Sequence, residues 1–332
     1  MAQLEFAIDL GSSFFTVYQK GVGLVLREPN MALLQGDGNV VKEIGYKAKN
    51  MHTSMLGNSK PVYPVKEGII VDSDTAVLVF KEFFKKILPE GIIKRKFTAL
   101  VLVSGAMKVA ERKTVEKVFT KVGANAVYVC DSPLALYEYT ETKGGMFVDI
   151  GGGKTEVAAV GNNGIVAGAT VNIAGNAFTN AIIDLIAEKY YIKIGEITAE
   201  KLKCESLSFY RNDAGVDFVS GASMSDGMTK NAEIMAQDLF DAVAPLVDDL
   251  VDVMMSVLAS TPPELASEIY RKGFFISGGS SQIAGLNQYL ADRMGLYSTL
   301  LNDPENGVAI GGGKFLDCMD DLGTLIGIDL NN

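Results

Sequence analysis

The chain has 332 residues, 48% hydrophobic and 21% charged, an ordinary globular balance with ample material for a core. Lys and Arg number 30 against 40 Asp and Glu, so the net charge is −10 and no global field favours nucleic acid as a partner. With one histidine, His52, there is no basis for a histidine triad or a histidine-rich zinc site, and the three distant cysteines (Cys130, Cys204, Cys318) lack metal spacing.

Leu4–Leu10 reads as a short apolar strand that ends in Asp9-Leu10-Gly11-Ser12-Ser13. Phe14–Gln19 and residues 23–27 read as two more strands around a Lys20-Gly21 turn. Strand, glycine turn, strand is a hairpin pattern, unlike the strand-to-helix entry of a Rossmann or P-loop unit. Residues 30–75 mix short apolar pieces with Gly, Asn, Asp and Pro, as an inserted subdomain does. Val77, Leu78, Phe80, Phe83, Phe84 and Ile87 then predict a helix over 75–88. Strands are expected at 97–103 and 126–130, with a helix at 109–122 between them.

The opening pattern then recurs. Residues 146–150 form an apolar run containing Asp149, followed by Gly151-Gly152-Gly153, a strand at 155–160, a turn at Gly161–Gly164 and a strand at 165–171. Asp9 and Asp149 therefore stand in matching places about a domain length apart, which predicts an internal duplication with a ligand cleft between the halves. A helix at 177–190, a second mixed insertion to about 230 and a long helix at 232–258 come next. A strand at 273–277 then ends in Gly278-Gly279-Ser280-Ser281. No low-complexity linker separates the halves, so two packed lobes with a hinge are expected. No basic leader precedes the first strand, and no run approaches the roughly 18 to 20 apolar residues of a membrane span, so the expected location is the cytoplasm.

Three strands thus end in small-residue loops. Glycine and serine let backbone N–H groups approach an anion closely, and two strand-end aspartates suit a hydrated Mg²⁺, which needs few carboxylates. The ordered set resembles the phosphate-1, phosphate-2 and adenosine motifs of the actin, sugar-kinase and Hsp70 ATPase superfamily. Further stretches resemble the MreB family in particular: Gly68-Ile69-Ile70-Val71-Asp72, Thr155-Glu156-Val157, Pro262-Pro263-Glu264-Leu265-Ala266 and Gly311-Gly312-Gly313-Lys314.

The resemblance implies an α/β, actin-like ATPase fold. Two duplicated lobes, each a mixed five-stranded sheet with helices and a small inserted subdomain, would surround a nucleotide cleft. Lobe I is expected at 1–138 plus 315–332, with its insertion at about 30–75. Lobe II is expected at 139–314, with its insertion at about 176–240. ATP or ADP and Mg²⁺ are the implied cofactors. Asp9 and Asp149 would hold Mg²⁺ through water, and Gly11, Ser12, Ser13, Gly151, Gly152, Gly153 and Lys154 would surround the phosphates. Glu205 would bind ribose, and Gly278, Gly279 and Ser280 would line the adenosine pocket. The implied partners are copies of the chain itself in paired protofilaments, with other actin-like paralogues as further candidates.

Two departures from the family pattern affect the chemistry. The residue before Pro133 is Ser132 where the family carries a water-activating glutamate, and the residue after the triple glycine is Lys154 where it carries a water-orienting threonine. A hydroxyl is a poor proton acceptor near neutral pH and an ammonium is none, so hydrolysis is expected to be slower by roughly two to four orders of magnitude. A one-residue slip would put Asp131 in the glutamate's place, although the fixed Pro133 argues against it.

The family's hydrophobic membrane loop aligns with residues 88–93. There Ile92 and Ile93 precede Lys94-Arg95-Lys96, a composition suited to an anionic bilayer at the inner face of the cell membrane. The isoleucines equally fit the start of the next core strand. The expected function is a filament-forming cytoskeletal ATPase for cell shape or motility, with weak hydrolysis. The alternatives are a regulatory or scaffold subunit that co-assembles with another actin-like protein, and a small-molecule kinase with Asp72 as its base, a residue that a turn or helix cap explains equally well.

Overall fold

The computed structural model describes residues 4–35, 40–53, 59–88, 97–210 and 214–317. Two five-stranded mixed sheets organise it, and their strands follow one plan. In the first, Leu4–Leu10 pairs in parallel with Phe97–Val103, which pairs in parallel with Ala124–Asp131. On its other side Leu4–Leu10 pairs antiparallel with Phe14–Gln19, which continues antiparallel to Gly23–Pro29. In the second sheet, Gly145–Ile150 occupies the same central place. Phe274–Ser277 and Ser298–Leu300 lie in parallel on one side, and Thr155–Gly161 and Gly164–Val171 antiparallel on the other. The register sets Asp9 opposite Thr16 and Asp149 opposite Glu156, each aspartate one residue before the end of its central strand.

Every residue of Phe97–Val103 is buried, as a central strand covered on both faces requires. The helix Ser73–Ile87 covers one face of the first sheet because Phe80, Phe83 and Phe84 share one stripe at i, i+3 and i+4. Phe15 stacks on Phe80 and Phe83 at ring separations of 4.9 and 5.0 Å. Asp72 caps this helix, its carboxylate accepting the Thr75 N–H at 2.8 Å. Its place is therefore structural, and it is not among the residues lining the cleft described below.

A third apolar cluster joins the sheets, with Ala7, Leu100 and Leu102 from the first and Phe147, Ala158 and Val160 from the second. The helices Ser132–Thr140 and Gly307–Asp317 close it. Gly311 permits their close approach, since a Cβ there would lie 1.9 Å from the Ala135 carbonyl oxygen. The last helix runs unbroken through residues 314 and 315 and packs on the first sheet, with Gly312 against Leu102 and Gly313 against Tyr18.

Each half carries a three-stranded insertion sheet: Val40–Ile44, Ala32–Gln35 and Ser59–Val62 in one, and Ile192–Lys193, Val216–Ser223 and Thr229–Met235 in the other. The long helix begins at Ala236, four residues later than its apolar periodicity predicts. The segment Thr229–Met235 gives its backbone groups to a cross-strand partner instead. Ile92, Ile93 and residues 318–332 lie outside the described residues. Among the described residues no helix is long and apolar enough to cross a membrane.

Candidate functional site

A cavity of about 510 Å³ opens between the two sheets, and all three strand-end loops line it. Gly11, Ser12 and Ser13 come from the first loop, Gly151, Gly152, Gly153 and Lys154 from the second, and Gly278, Gly279 and Ser280 from the third. These loops fasten to one another. Ser280 Oγ donates to the Gly151 carbonyl at 2.8 Å, and the Gly175 and Asn176 N–H groups donate to the Gly151 and Gly152 carbonyls at 3.1 and 2.7 Å. A Cβ at Gly152 would lie 1.9 Å from Ser13 Oγ. Gly278 has φ +88°, and a Cβ there would meet the Ile150 carbonyl oxygen at 2.3 Å, so only glycine fits.

A short hairpin of the first half, Val65–Lys66 paired with Ile69–Ile70, also reaches the loops. The Gly68 N–H donates to Ser12 Oγ at 2.9 Å, and Asn172 Nδ2 donates to Glu67 Oε2 at 3.0 Å. Arg27 ties the other side, its guanidinium 2.9 Å from Glu305 Oε2 and stacked 3.8 Å from the centre of the Phe14 ring.

Asp9 and Asp149 both line the cavity. Burial pushes the Asp9 carboxyl up to about 7, with Lys154 pulling partly back. Burial likewise pushes Asp149 up to about 7, and the neighbouring Asp9 adds to the rise. Two adjacent acids that retain protons near neutrality are a site short of positive charge. Among the described residues no group of three or more His, Cys, Asp or Glu is placed to enclose a metal. A two-carboxylate set of hard oxygens fits a Mg²⁺ that keeps most of its waters and takes its other ligands from phosphates.

Ser132 is buried at the first turn of its helix and donates through Oγ to the Val103 carbonyl at 2.9 Å. Asp131 is turned to an ion pair with Arg112 and is not among the cavity-lining residues. Lys154 Nζ lies 3.4 Å from Glu156 Oε2, and Glu156 Oε1 accepts from Ser104 Oγ at 2.7 Å and the Gly105 N–H at 2.8 Å.

Glu205 lies on the exposed side of the helix Glu196–Glu205, 3.6 Å from Lys201, and does not line the cavity. Glu200, Lys203 and Cys204 do, because their i, i+3, i+4 spacing puts them on one helix face. Glu200 accepts from Thr179 Oγ1 at 2.8 Å and pairs with Lys203 at 2.6 Å. Burial pushes its carboxyl up, but the Lys203 ammonium and the Thr179 hydroxyl outweigh that and hold it below its usual value. Arg27, Lys49, Glu200 and Lys203 are cavity residues that the sequence motifs do not mark, and Glu156, inside the Thr155-Glu156-Val157 stretch, carries no assigned role there. For Glu200 and Lys203 the helical spacing was the available signal.

The family model for MreB/Mbl protein matches residues 3–324. The chain belongs to the MreB/Mbl family. It is 31% identical over 326 residues to the cell shape-determining protein MreB of Escherichia coli K12, covering 95% of this chain and 94% of that one. To the cell shape-determining protein Mbl of Bacillus subtilis 168 it is 30% identical over 325 residues, covering 96% and 97%. Among solved structures, this MreB/Mbl-family chain superposes on Spiroplasma citri MreB5 bound to AMPPNP with a TM-score of 0.90 at 26% identity, covering 99% of this chain and 100% of that one. The MamK double helical filament matches with a TM-score of 0.82 at 18% identity over 95% and 99% of the two chains, which supports the shared actin-like fold alone.

Proposed function

We propose that this MreB/Mbl-family protein binds ATP with Mg²⁺ in the inter-sheet cleft, polymerises with copies of itself, and serves cell shape as a filament with slow hydrolysis. The observation that carries this reading is the convergence of three small-residue loops and two half-buried strand-end aspartates on one cavity. AMPPNP and ADP are the molecules bound in the two Spiroplasma citri MreB5 structures, which supports a nucleotide as occupant.

Gly11, Ser12, Ser13, Gly152 and Gly153 present backbone N–H groups to the phosphates, Gly151 shapes the loop by donating its own N–H to the Lys154 carbonyl at 3.0 Å, and Gly278–Ser280 border the adenosine side. Glu200 and Lys203, on the same helix as Glu205 but facing the cavity, take the ribose side. Asp9 and Asp149 would hold Mg²⁺ through water, and the ion would supply positive charge to the polyphosphate. Closing both halves on one ligand favours a single subunit shape, the form that adds to a filament.

Hydrolysis needs a group that takes a proton from water. The Ser132 hydroxyl already donates to a backbone carbonyl and is no base near neutrality, and Lys154 is a cation. Phosphate release from Mg-ATP, followed in the same tubes as polymer pelleting, tests the reading. The expected result is abundant polymer with little phosphate, and release as brisk as that of a member carrying the glutamate and threonine would overturn it.

The segment 88–93, with Lys85-Lys86 before it and Lys94-Arg95-Lys96 after it, supports attachment to an anionic bilayer, at roughly 1 kcal/mol for each basic residue near the lipid. Changing Ile92 and Ile93 to serine is expected to reduce co-sedimentation with anionic vesicles. Unchanged sedimentation removes this segment as the anchor.

A further inference from the structure

Lys154 brings an ammonium into the second phosphate loop itself, among the acids at the strand ends. Asp9, Asp149 and Glu156 line the same cavity as Lys154, whose Nζ lies 3.4 Å from Glu156 Oε2. The lysine side chain is only 16% exposed. Its charge acts on both aspartates, opposing the rise that burial imposes on them.

The turn Glu67–Gly68 roofs this ammonium. Gly68 has φ +77°, and a Cβ there would meet Lys154 Nζ at 2.8 Å and Cε at 2.9 Å. The same glycine's N–H is held by Ser12 Oγ of the first phosphate loop, so the roof is fixed to the site below it. Glu67 itself takes a positive φ of 49° and accepts from Asn172 on the opposite half. The lysine chain is therefore confined between the roof and Glu156, with little side-chain freedom left to lose when an anion arrives.

A lysine presents three rotatable donors on a compact point charge, a form suited to phosphate. Glu156 holds that charge beside the second phosphate loop, in the cavity a terminal phosphate would enter. Resting on the reading of the cleft as an ATP site, we infer that Lys154 is a specificity-determining residue. It supplies, from the chain itself, part of the positive charge that a triphosphate otherwise draws from Mg²⁺. This protein accordingly binds a nucleoside triphosphate with a weak requirement for divalent cation.

The test is calorimetric titration with AMPPNP in excess Mg²⁺ and in excess EDTA, for the native chain, Lys154→Thr and Lys154→Arg. Couplings between close charge pairs start at about tenfold and run much higher. Withdrawing Mg²⁺ should therefore weaken the native chain by less than about tenfold and Lys154→Thr by more than about a hundredfold. Lys154→Arg keeps the charge and should stay near the native chain, which guards against a Thr variant that merely folds poorly. Equal losses on EDTA in the native, Thr and Arg proteins would overturn the role of Lys154 while leaving the ATP site standing. No AMPPNP binding to the native chain even with Mg²⁺ would overturn both.

Discussion

The double variant Ser132→Glu, Lys154→Thr should release phosphate from Mg-ATP roughly a hundredfold faster than the native chain, within the usual range for gaining a positioned general base. The site can accept both changes. Ser132 lines the cavity at the first turn of its helix, where a carboxylate lies favourably against the helix dipole. Its one side-chain bond, to the Val103 carbonyl, contributes about 1 kcal/mol, a modest loss. Removing the ammonium at 154 frees Glu156 Oε2 and leaves a hydroxyl in the place where the family has its threonine. Neither single change should reach the rate of the pair, because a base without an oriented water, or the reverse, completes only half of the arrangement. Single-turnover phosphate release for the three variants and the native chain is the measurement. A double variant no faster than native would mean that these two positions do not limit the rate.

Much of this site is visible in the sequence, because the motifs lie at strand ends. The duplicated run of apolar residues, aspartate and glycine marks the central strand of each sheet, and the shared strand order bears out that equivalence. Loop contacts follow from the same residues, since Gly152 and Gly278 stand where any side chain would strike a neighbouring loop.

What the sequence conceals depends on phase and on distance along the chain. Glu205 and Glu200 sit on one helix, and the direction each faces depends on where that helix docks. Arg27 and Lys49 reach the cavity from segments whose local pattern shows only a strand and a short helix. The long helix starts at Ala236 because the residues before it pair with a strand, and cross-strand pairing overrides helical periodicity. Asp72 shows the converse: of its two readings, candidate base and helix cap, the structure shows the cap.

Replacing Asp9 by asparagine should stabilise the Mg²⁺-free protein at pH 8 and weaken its binding of Mg-nucleotide. Both effects have one origin. The Asp9 and Asp149 carboxyls titrate at about 7 in the folded protein, against an ordinary value of 3.8 in an unfolded chain. The folded state therefore binds more protons than the unfolded one between these values, and stability falls as pH rises across that window. Their favourable contribution is complete below about 3.8 and gone above about 7. Asparagine cannot ionise, so Asp9→Asn should gain on the native protein as pH rises from 5 to 8. By pH 8 the gain should be about 2 kcal/mol, less than the full shift implies because both carboxyls open onto cleft water. On the proposed site the variant would also lose an oxygen that orients the waters of Mg²⁺, and outer-sphere partners of a metal are worth roughly tenfold to a hundredfold in affinity. Denaturant titrations in EDTA across this pH range measure the first effect, and nucleotide titration in Mg²⁺ the second. Stability curves that stay parallel would show that Asp9 is not strained in the metal-free protein. Greater stability with unchanged Mg-nucleotide affinity would place the metal elsewhere, because a buried acid with no ligand to hold would then be a pure cost to the fold.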